Sequence, residues 1–239
     1  MQTYFQEVQG LIQEVSEKEM PVIKEVASII ANHIRQNGIL QFFGCGHSHL
    51  LAQEAFYRAG GLVPVRSISI EPLMLHRGAL TSSKNEKDPN FVADHITDFD
   101  FQTVDVLIII STSGRNVVPI DVALLAKQAG VFTISLQSLN YSNQPSRHAT
   151  KKRLEEIVDV VINTHVPIGD GVLNHEGIQY GPVSTTIGAT ILNALISQVI
   201  EDLSHDNNAL PVFGSCNVEN ASRNNESLIE QYKHRINFN

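Results

Sequence analysis

The sequence predicts an α/β fold in which helices precede a five-stranded parallel β-sheet. Five short runs rich in strand-forming β-branched or aromatic residues, at 39–43, 63–70, 104–110, 131–136 and 158–162, alternate with helical patterns. The two clearest helices between them, at 48–59 and 118–128, are followed by glycine, which commonly ends a helix. Strands that alternate with helices pair in parallel, because each helix returns the chain to the start of the next strand.

Residues 4–34 carry apolar side chains at helical spacing, in two sets separated by Pro21. This pattern predicts two helices joined near residues 19–21. Phe5, Ile12 and Ile23 widen the apolar stripe. We therefore expect residues 1–37 to pack on the core or on a partner subunit, and we favour the partner. Residues 38–239 are expected to form the phosphate-binding domain described below, with a C-terminal helix around residues 226–234.

Composition restricts the possible functions. The chain has 239 residues, of which 42% are hydrophobic, enough for a substantial core. Its net charge of -8 argues against general nucleic-acid binding. No apolar run approaches the roughly 20 residues of a membrane span. Cys45 and Cys216 lie far apart without a Cys-x-x-Cys pattern, so we expect no disulfide framework, and a reducing cytoplasm fits best.

Two predicted strands end in small, hydroxyl-bearing turns. Gly44-Cys45-Gly46-His47-Ser48 follows the first run, and Ser111-Thr112-Ser113-Gly114 follows the third. Ligands of open parallel sheets bind beyond the carboxyl ends of the strands. Such a turn before a helix offers N–H groups and hydroxyls to an anion, most often a phosphate. A third hydroxyl group, Ser184-Thr185-Thr186, opens an apolar helix that reaches about residue 200, although Ser184 or Thr185 could simply cap that helix.

With these three motifs in this order, the chain resembles the sugar isomerase (SIS) family over roughly residues 20–205. It is similar in particular to bacterial SIS proteins labelled phosphoheptose isomerases, which share the Gly-x-Gly-His-Ser loop and the His-Glu-Gly segment. The resemblance implies a flavodoxin-like three-layer αβα sandwich that binds a phosphorylated sugar. The residues expected to hold the substrate and its phosphate are Gly46, His47, Ser48, Ser111, Thr112, Ser113, Arg115, Ser184, Thr185 and Thr186.

Membership of this family does not by itself determine the reaction. We favour an aldose–ketose sugar-phosphate isomerase. The alternatives are a non-catalytic sugar-phosphate sensor and a phosphosugar lyase or etherase. The etherase's first loop usually continues Gly-Thr-Ser-Gly-Arg, and Gly46-His47-Ser48-His49 departs from that pattern. We expect no cofactor, and a homo-oligomer, dimer or tetramer, with the site at the subunit interface.

Isomerisation needs a base that moves a proton between C1 and C2, and a group that opens the sugar ring. Glu71 follows the second predicted strand, as a glutamate does in arabinose 5-phosphate isomerases, although it could instead be a salt-bridged or capping acid. His175 and Glu176 are candidates for ring opening and for a second base, in their own site or a partner's. They lie in a predicted loop between the last strand and Ser184. Glu54 is a weaker candidate, because a solvent-facing position on its helix fits it better.

Histidines at 47, 49, 76 and 175 invite a metal interpretation, since certain phosphoheptose isomerases bind zinc. The spacing of His47 and His49 is not that of a helical ligand pair, so we expect no metal. Arg115 is expected to pair with a phosphate or carboxylate, or else to bridge subunits. Three polar segments, 81–90, 137–150 and 211–220, are predicted to be irregular, and the first is a candidate flap over the site.

Overall fold

A computed structural model describes residues 3–206, 209–219 and 224–238. Five strands form one sheet: β1 Leu40–Gly44, β2 Val65–Ser67, β3 Val106–Ile110, β4 Phe132–Gln137 and β5 Val160–Asn163. Their order is β2-β1-β3-β4-β5, and all neighbours are parallel. This is the flavodoxin-like order, so the predicted α/β fold with a five-stranded parallel sheet is confirmed.

Helices cover both faces of the sheet. They are α1 Tyr4–Lys18, α2 Met20–Arg35, α3 His47–Ala55, α4 Ala79–Asn85, α5 Phe91–Asp94, α6 Val117–Gln128, α7 Ser184–Ser204 and α8 Asn225–Tyr232. Alternate residues of β3 point to opposite faces, as in any strand. Ile108 packs with α2, α3 and α7, whereas Ile109 packs with α5 and α6. The result is the expected three-layer sandwich.

The second N-terminal helix belongs to the core of this chain. Val26, Ala27 and Ile30 of α2 are fully buried, and α2 packs along α7 on one face of the sheet. Helix α1 is less covered, and Phe5 is 76% exposed. Packing of α1 against a partner subunit therefore remains a prediction. Within the described residues, no helix combines the length and apolar character needed to cross a bilayer.

The structure differs from the prediction between β5 and α7. Residues 171–182, expected to be a loop, form an antiparallel hairpin of β6 Gly171–His175 and β7 Ile178–Pro182. Its turn is Glu176-Gly177, with φ of 49° and 83°. Positive φ at both central residues is typical of a tight hairpin turn. The hairpin is largely exposed, so its strands lack the hydrophobic alternation that would have marked them.

Two smaller differences concern where helices lie. Part of the predicted irregular stretch at 81–90 is helical, because α4 extends to Asn85. Helix α3 ends at Ala55, four residues before its predicted end. The irregular stretch 211–220 is described only to Glu219, and Asn220 lies outside the described residues.

Candidate functional site

A cavity of about 490 Å³ lies beyond the carboxyl ends of β1 and β3. These strands are neighbours, and Gly44 pairs with Ile110, so the turns that follow them leave the sheet side by side. Helix α4 and the start of α7 complete the walls. The lining residues are Cys45, Gly46, His47, Ser48, Leu75, Ser82, Ser83, Glu86, Ser111, Thr112, Ser113, Asn116, Asp170, Pro182, Ser184 and Thr185.

The first turn is shaped by two glycines. A Cβ on Gly44 would lie 2.6 Å from the carbonyl carbon of Ser48, so β1 and the start of α3 can approach only at a glycine. Gly46 has a φ of 56° and donates its N–H to the carbonyl of Leu73 at 2.9 Å. Helix α3 begins at the next residue. The turn thus places Ser48 and the N-terminus of α3 at the cavity, where an anion is favoured.

The second turn is held from behind by a buried arginine. Arg153 is 7% exposed and donates to the carbonyl of Ser113 at 2.6 Å. Its charge is balanced by Glu155, whose carboxylate accepts from the Arg153 guanidinium at 2.5 Å. Gly114, with a φ of 61°, completes the turn. This support fixes the hydroxyl-bearing residues that face the cavity before any ligand arrives.

In the third hydroxyl-bearing segment, Ser184 already forms hydrogen bonds within the protein. The carboxylate of Asp170 accepts hydrogen bonds from the N–H groups of Val183 and Ser184, at 3.1 and 2.7 Å, and from the Ser184 hydroxyl at 2.8 Å. Asp170 therefore caps the N-terminus of α7 from outside the helix. Thr185 lines the cavity, whereas the hydroxyl of Thr186 lies 3.4 Å from that of Tyr4, beside α1.

Loss of the Asp170 cap is expected to destabilise the fold. Asp170→Ala removes the acceptor for three donors at a position with a φ of 69°, so we expect a loss of about 2 kcal/mol in the free energy of unfolding. Asp170→Asn keeps an oxygen acceptor and tolerates this backbone, so it should cost less than about 1 kcal/mol. Urea unfolding of both variants measures the difference. Equal stability of the alanine variant and the wild type would show that the cap contributes nothing.

Glu86 is the second carboxylate in the described lining of the cavity. It directly follows α4 and is half-buried. Burial raises the pKa of the Glu86 carboxyl, while a hydrogen bond from the Asn116 side chain and the charges of Lys87 and Arg147 oppose that rise. Arg147 also donates to Asn116 Oδ1 at 2.6 Å, which orients that side chain. A half-buried carboxyl of this kind suits proton transfer.

The comparisons with known proteins agree with this geometry. The sequence profile of the SIS domain matches residues 3–138, more than half of the chain. The chain belongs to the SIS domain family. A protein of Lysinibacillus sphaericus named "UPF0309 protein in nagA 3'region" is 55% identical over 238 residues, which cover 100% of this chain and 98% of that protein. The predicted family is therefore confirmed.

Solved structures share the SIS fold. A phosphoheptose isomerase from Francisella tularensis matches with a TM-score of 0.56 at 14% identity, covering 82% of this chain and 94% of that one. The NanR protein of Vibrio vulnificus, solved in complex with ManNAc-6P, matches with a TM-score of 0.53 at 14% identity, covering 84% of this chain and 62% of that one. At these identities, the likeness extends to the fold alone.

The predicted catalytic residues lie outside the SIS cavity of this chain. The Glu71 side chain is 59% exposed and pairs with Arg77 at 3.0 Å, and His76 lies 3.6 Å away. His175 and Glu176 lie at the exposed tip of the hairpin, whose other end lines the cavity. Glu54 forms an ion pair with Arg58 on the surface of α3. The structure therefore brings the predicted hydroxyl-bearing residues together. It places the candidate acid and base side chains outside the cavity lining.

Arg115 also lies outside the cavity lining. Its guanidinium donates to the Gln144 side chain at 2.8 Å, and its Nε is buried without a partner among the described residues. Arg147 and Arg153 lie nearby, and their charges act on Arg115. Direct binding of the phosphate by Arg115 would need this side chain to turn towards the cavity.

Two of the histidines considered as metal ligands differ in their surroundings. His47 is exposed at the cavity, whereas His49 is buried and its Nε2 lies 3.4 Å from the Ser69 hydroxyl. Burial lowers the pKa of His49, and the nearby His76 adds to this effect. Within the described ranges, no three His, Cys, Asp or Glu side chains are grouped closely enough to hold a metal ion.

Among the lining residues that were not predicted as site residues from the sequence are Glu86, Asn116 and Asp170. A signal for the first was present, because Ser82, Ser83 and Glu86 are spaced three and four residues apart and so share one face of a helix. Because residues 81–90 are predicted to be irregular, this helical spacing does not by itself identify Glu86 as a site residue. Asp170 reaches the cavity through the hairpin, which the sequence did not reveal.

Proposed function

We propose that this SIS protein binds a phosphorylated sugar in the cavity and interconverts its aldose and ketose forms. The observation that carries the proposal is the convergence of the turns at 44–48 and 111–114 on one cavity, at the N-terminus of α3. Two separate segments, each ending a buried strand, supply hydroxyls to the same space. Phosphate is the anion that such turns bind most often.

The charge of the cavity indicates how the phosphate is held. Among the described residues, no lysine or arginine lines it. Hydroxyls of Ser48, Ser111, Thr112 and Ser113, together with the backbone N–H of His47 at the start of α3, would therefore bind the phosphate oxygens. The Ser184 hydroxyl already donates to Asp170, so we place Ser184, Thr185 and Thr186 at the edge of the ligand. The volume of the cavity lies within the usual range for small-molecule sites.

The alternative function is that of a sensor that binds a sugar phosphate without converting it. The position of Glu71 and His175 outside the cavity favours this alternative, because a sensor needs no proton-transfer groups. One fold neighbour is named a phosphoheptose isomerase, and another, NanR, was solved in complex with ManNAc-6P. A lyase or etherase would instead release an unsaturated product.

Catalysis by Glu71, His175 or Glu176 requires a second copy of the chain to carry these groups to the cavity. The exposed apolar side chains of Phe5 on α1 and Ile178 on the hairpin, 76% and 69% exposed, are consistent with a homo-oligomer in which such groups cross between subunits. We propose a cytoplasmic homodimer or homotetramer that acts without a cofactor.

Proton NMR in D2O tests the proposed function. The protein is incubated with fructose 6-phosphate, glucose 6-phosphate, arabinose 5-phosphate, sedoheptulose 7-phosphate and N-acetylmannosamine 6-phosphate. An isomerase exchanges the proton on C1 or C2 for deuterium and interconverts one aldose–ketose pair. Line broadening without exchange would instead show a sensor, and an unsaturated product would show a lyase. If no compound of the panel showed line broadening or exchange, the proposal would be contradicted.

A further inference from the structure

We propose that the Glu86 carboxylate transfers the proton between C1 and C2 of the bound sugar. The inference rests on the proposed function. It assigns the proton-transferring group of that reaction to the same chain that binds the phosphate. It follows from the position of Glu86 in the same cavity as the two hydroxyl-bearing turns. A phosphate held by Ser48 and Ser113 leaves the sugar carbons in the rest of the same cavity, which Glu86 also lines.

The backbone of Glu86 is fixed on two sides. Its N–H donates to the carbonyl of Ser82 at 3.0 Å, in the last turn of α4. Its carbonyl accepts the N–H of Val118, near the start of α6, at 3.1 Å. Asn116 lines the same cavity, is held by Arg147 through its amide oxygen, and acts to lower the pKa of the Glu86 carboxyl. A carboxylate placed this firmly meets the positional requirement for a general base.

The other carboxylate in the described lining is already engaged. Asp170 accepts three hydrogen bonds from Val183 and Ser184, and protonation would disrupt this cap. Glu71 is mostly exposed and paired with Arg77. Glu86 therefore combines access to the cavity with freedom to exchange a proton.

The charged groups around Glu86 set its acid–base behaviour. Across the cavity lie Cys45, His47 and Asp170, while Lys87 follows Glu86 in the chain and Arg147 lies behind Asn116. Burial raises the pKa of the Glu86 carboxyl, and Lys87 and Arg147 limit that rise. Burial, with the nearby Glu86 charge, keeps the Cys45 thiol protonated by raising its pKa well above the ordinary value. A raised pKa makes the Glu86 carboxylate a stronger base, which favours its taking a proton from carbon.

The reaction balances without any further reagent. Starting from the open-chain aldose, the Glu86 carboxylate takes the proton from C2, and the C–H electron pair forms the C1=C2 double bond. The C1 carbonyl oxygen gains a proton, which gives an enediol. The carboxyl then returns its proton to C1, while the hydroxyl on C2 loses its proton and becomes the ketose carbonyl. His47, which lines the same cavity, is placed to pass the oxygen proton from O2 to O1.

The test compares Glu86→Gln with Glu201→Gln, a matched change at an exposed residue of α7 outside the cavity lining. Deuterium exchange is measured by proton NMR with the panel member that the wild type converts. Binding of the same compound is measured by 31P line broadening. We expect Glu86→Gln to lower the exchange rate at least 100-fold with binding changed less than about threefold. We expect Glu201→Gln to exchange at the wild-type rate.

Two further variants keep the inference testable if Glu86→Gln does not fold. Glu86→Asp should retain partial exchange, because it keeps the carboxylate at a shorter reach. Asn116→Leu removes the hydrogen bond that favours the ionised carboxylate, so the acidic limb of the rate profile should move to higher pH. Exchange by Glu86→Gln at the wild-type rate would overturn the inference. Absence of exchange in the wild type would instead overturn the proposed function, so the two failures are distinguishable.

Discussion

Sugar-phosphate binding is expected to be lost when Ser113 is replaced by aspartate. The new carboxylate would lie within the turn that we assign to the phosphate, and no lysine or arginine in the described lining would offset its charge. Two like charges about 4 Å apart repel by about 4 kcal/mol at an effective dielectric constant of 20. We therefore expect the dissociation constant of the panel member that binds the wild type to rise at least 100-fold by isothermal titration calorimetry.

Ser142→Asp is the matched control. It adds the same charge at an exposed residue that does not line the cavity. Its affinity should equal that of the wild type within about twofold, since exposed charges are screened by solvent and salt. If Ser113→Asp bound as well as this control, the phosphate would not lie at the second turn.

Gly44→Ala is expected to disrupt the fold and the site together. The added methyl carbon would meet the backbone carbon and oxygen of Ser48 at 2.6 and 2.7 Å, and backbone atoms cannot rotate away as a side chain can. Relief would require the start of α3 to move away from β1. We expect a loss of about 3 kcal/mol in the free energy of unfolding, with loss of ligand binding, measured by urea unfolding and calorimetry.

Gly10→Ala is the control for this substitution. Gly10 is exposed in α1, and an added Cβ would meet no heavy atom within 4 Å. Alanine favours a helix over glycine, so this variant should gain about 0.5–1 kcal/mol in the free energy of unfolding. Wild-type stability of Gly44→Ala would show that β1 and α3 can separate without cost.

The parts of the fold that were predictable are those in which local sequence and burial agree. The strand β3, Val106–Ile110, is a continuous apolar run because both of its faces are covered by helices. The turns at 44–48 and 111–114 were recognisable because close backbone approach and positive φ demand glycine. Their meeting at one cavity followed from the parallel pairing of their strands.

The remaining parts depend on contacts that no local pattern records. The hairpin at 171–182 is largely exposed, so no clear apolar alternation marks it. Asp170 reaches the N-terminus of α7 only because this hairpin folds back. Helix α4 is polar and short, and only its packing against the cavity distinguishes Glu86 from the neighbouring surface charges. Glu71 was predicted to face the site from its position after β2, but its side chain pairs with Arg77 instead.

A crystal structure with fructose 6-phosphate, or with another panel member that binds more tightly, tests the placement of the ligand most directly. We expect the phosphate within hydrogen-bond distance of the Ser48 and Ser113 hydroxyls, with the sugar carbons directed towards Glu86. A phosphate bound beside Arg115 and Arg147, or on the outer surface of the hairpin, would contradict the assignment of this cavity as the phosphosugar site.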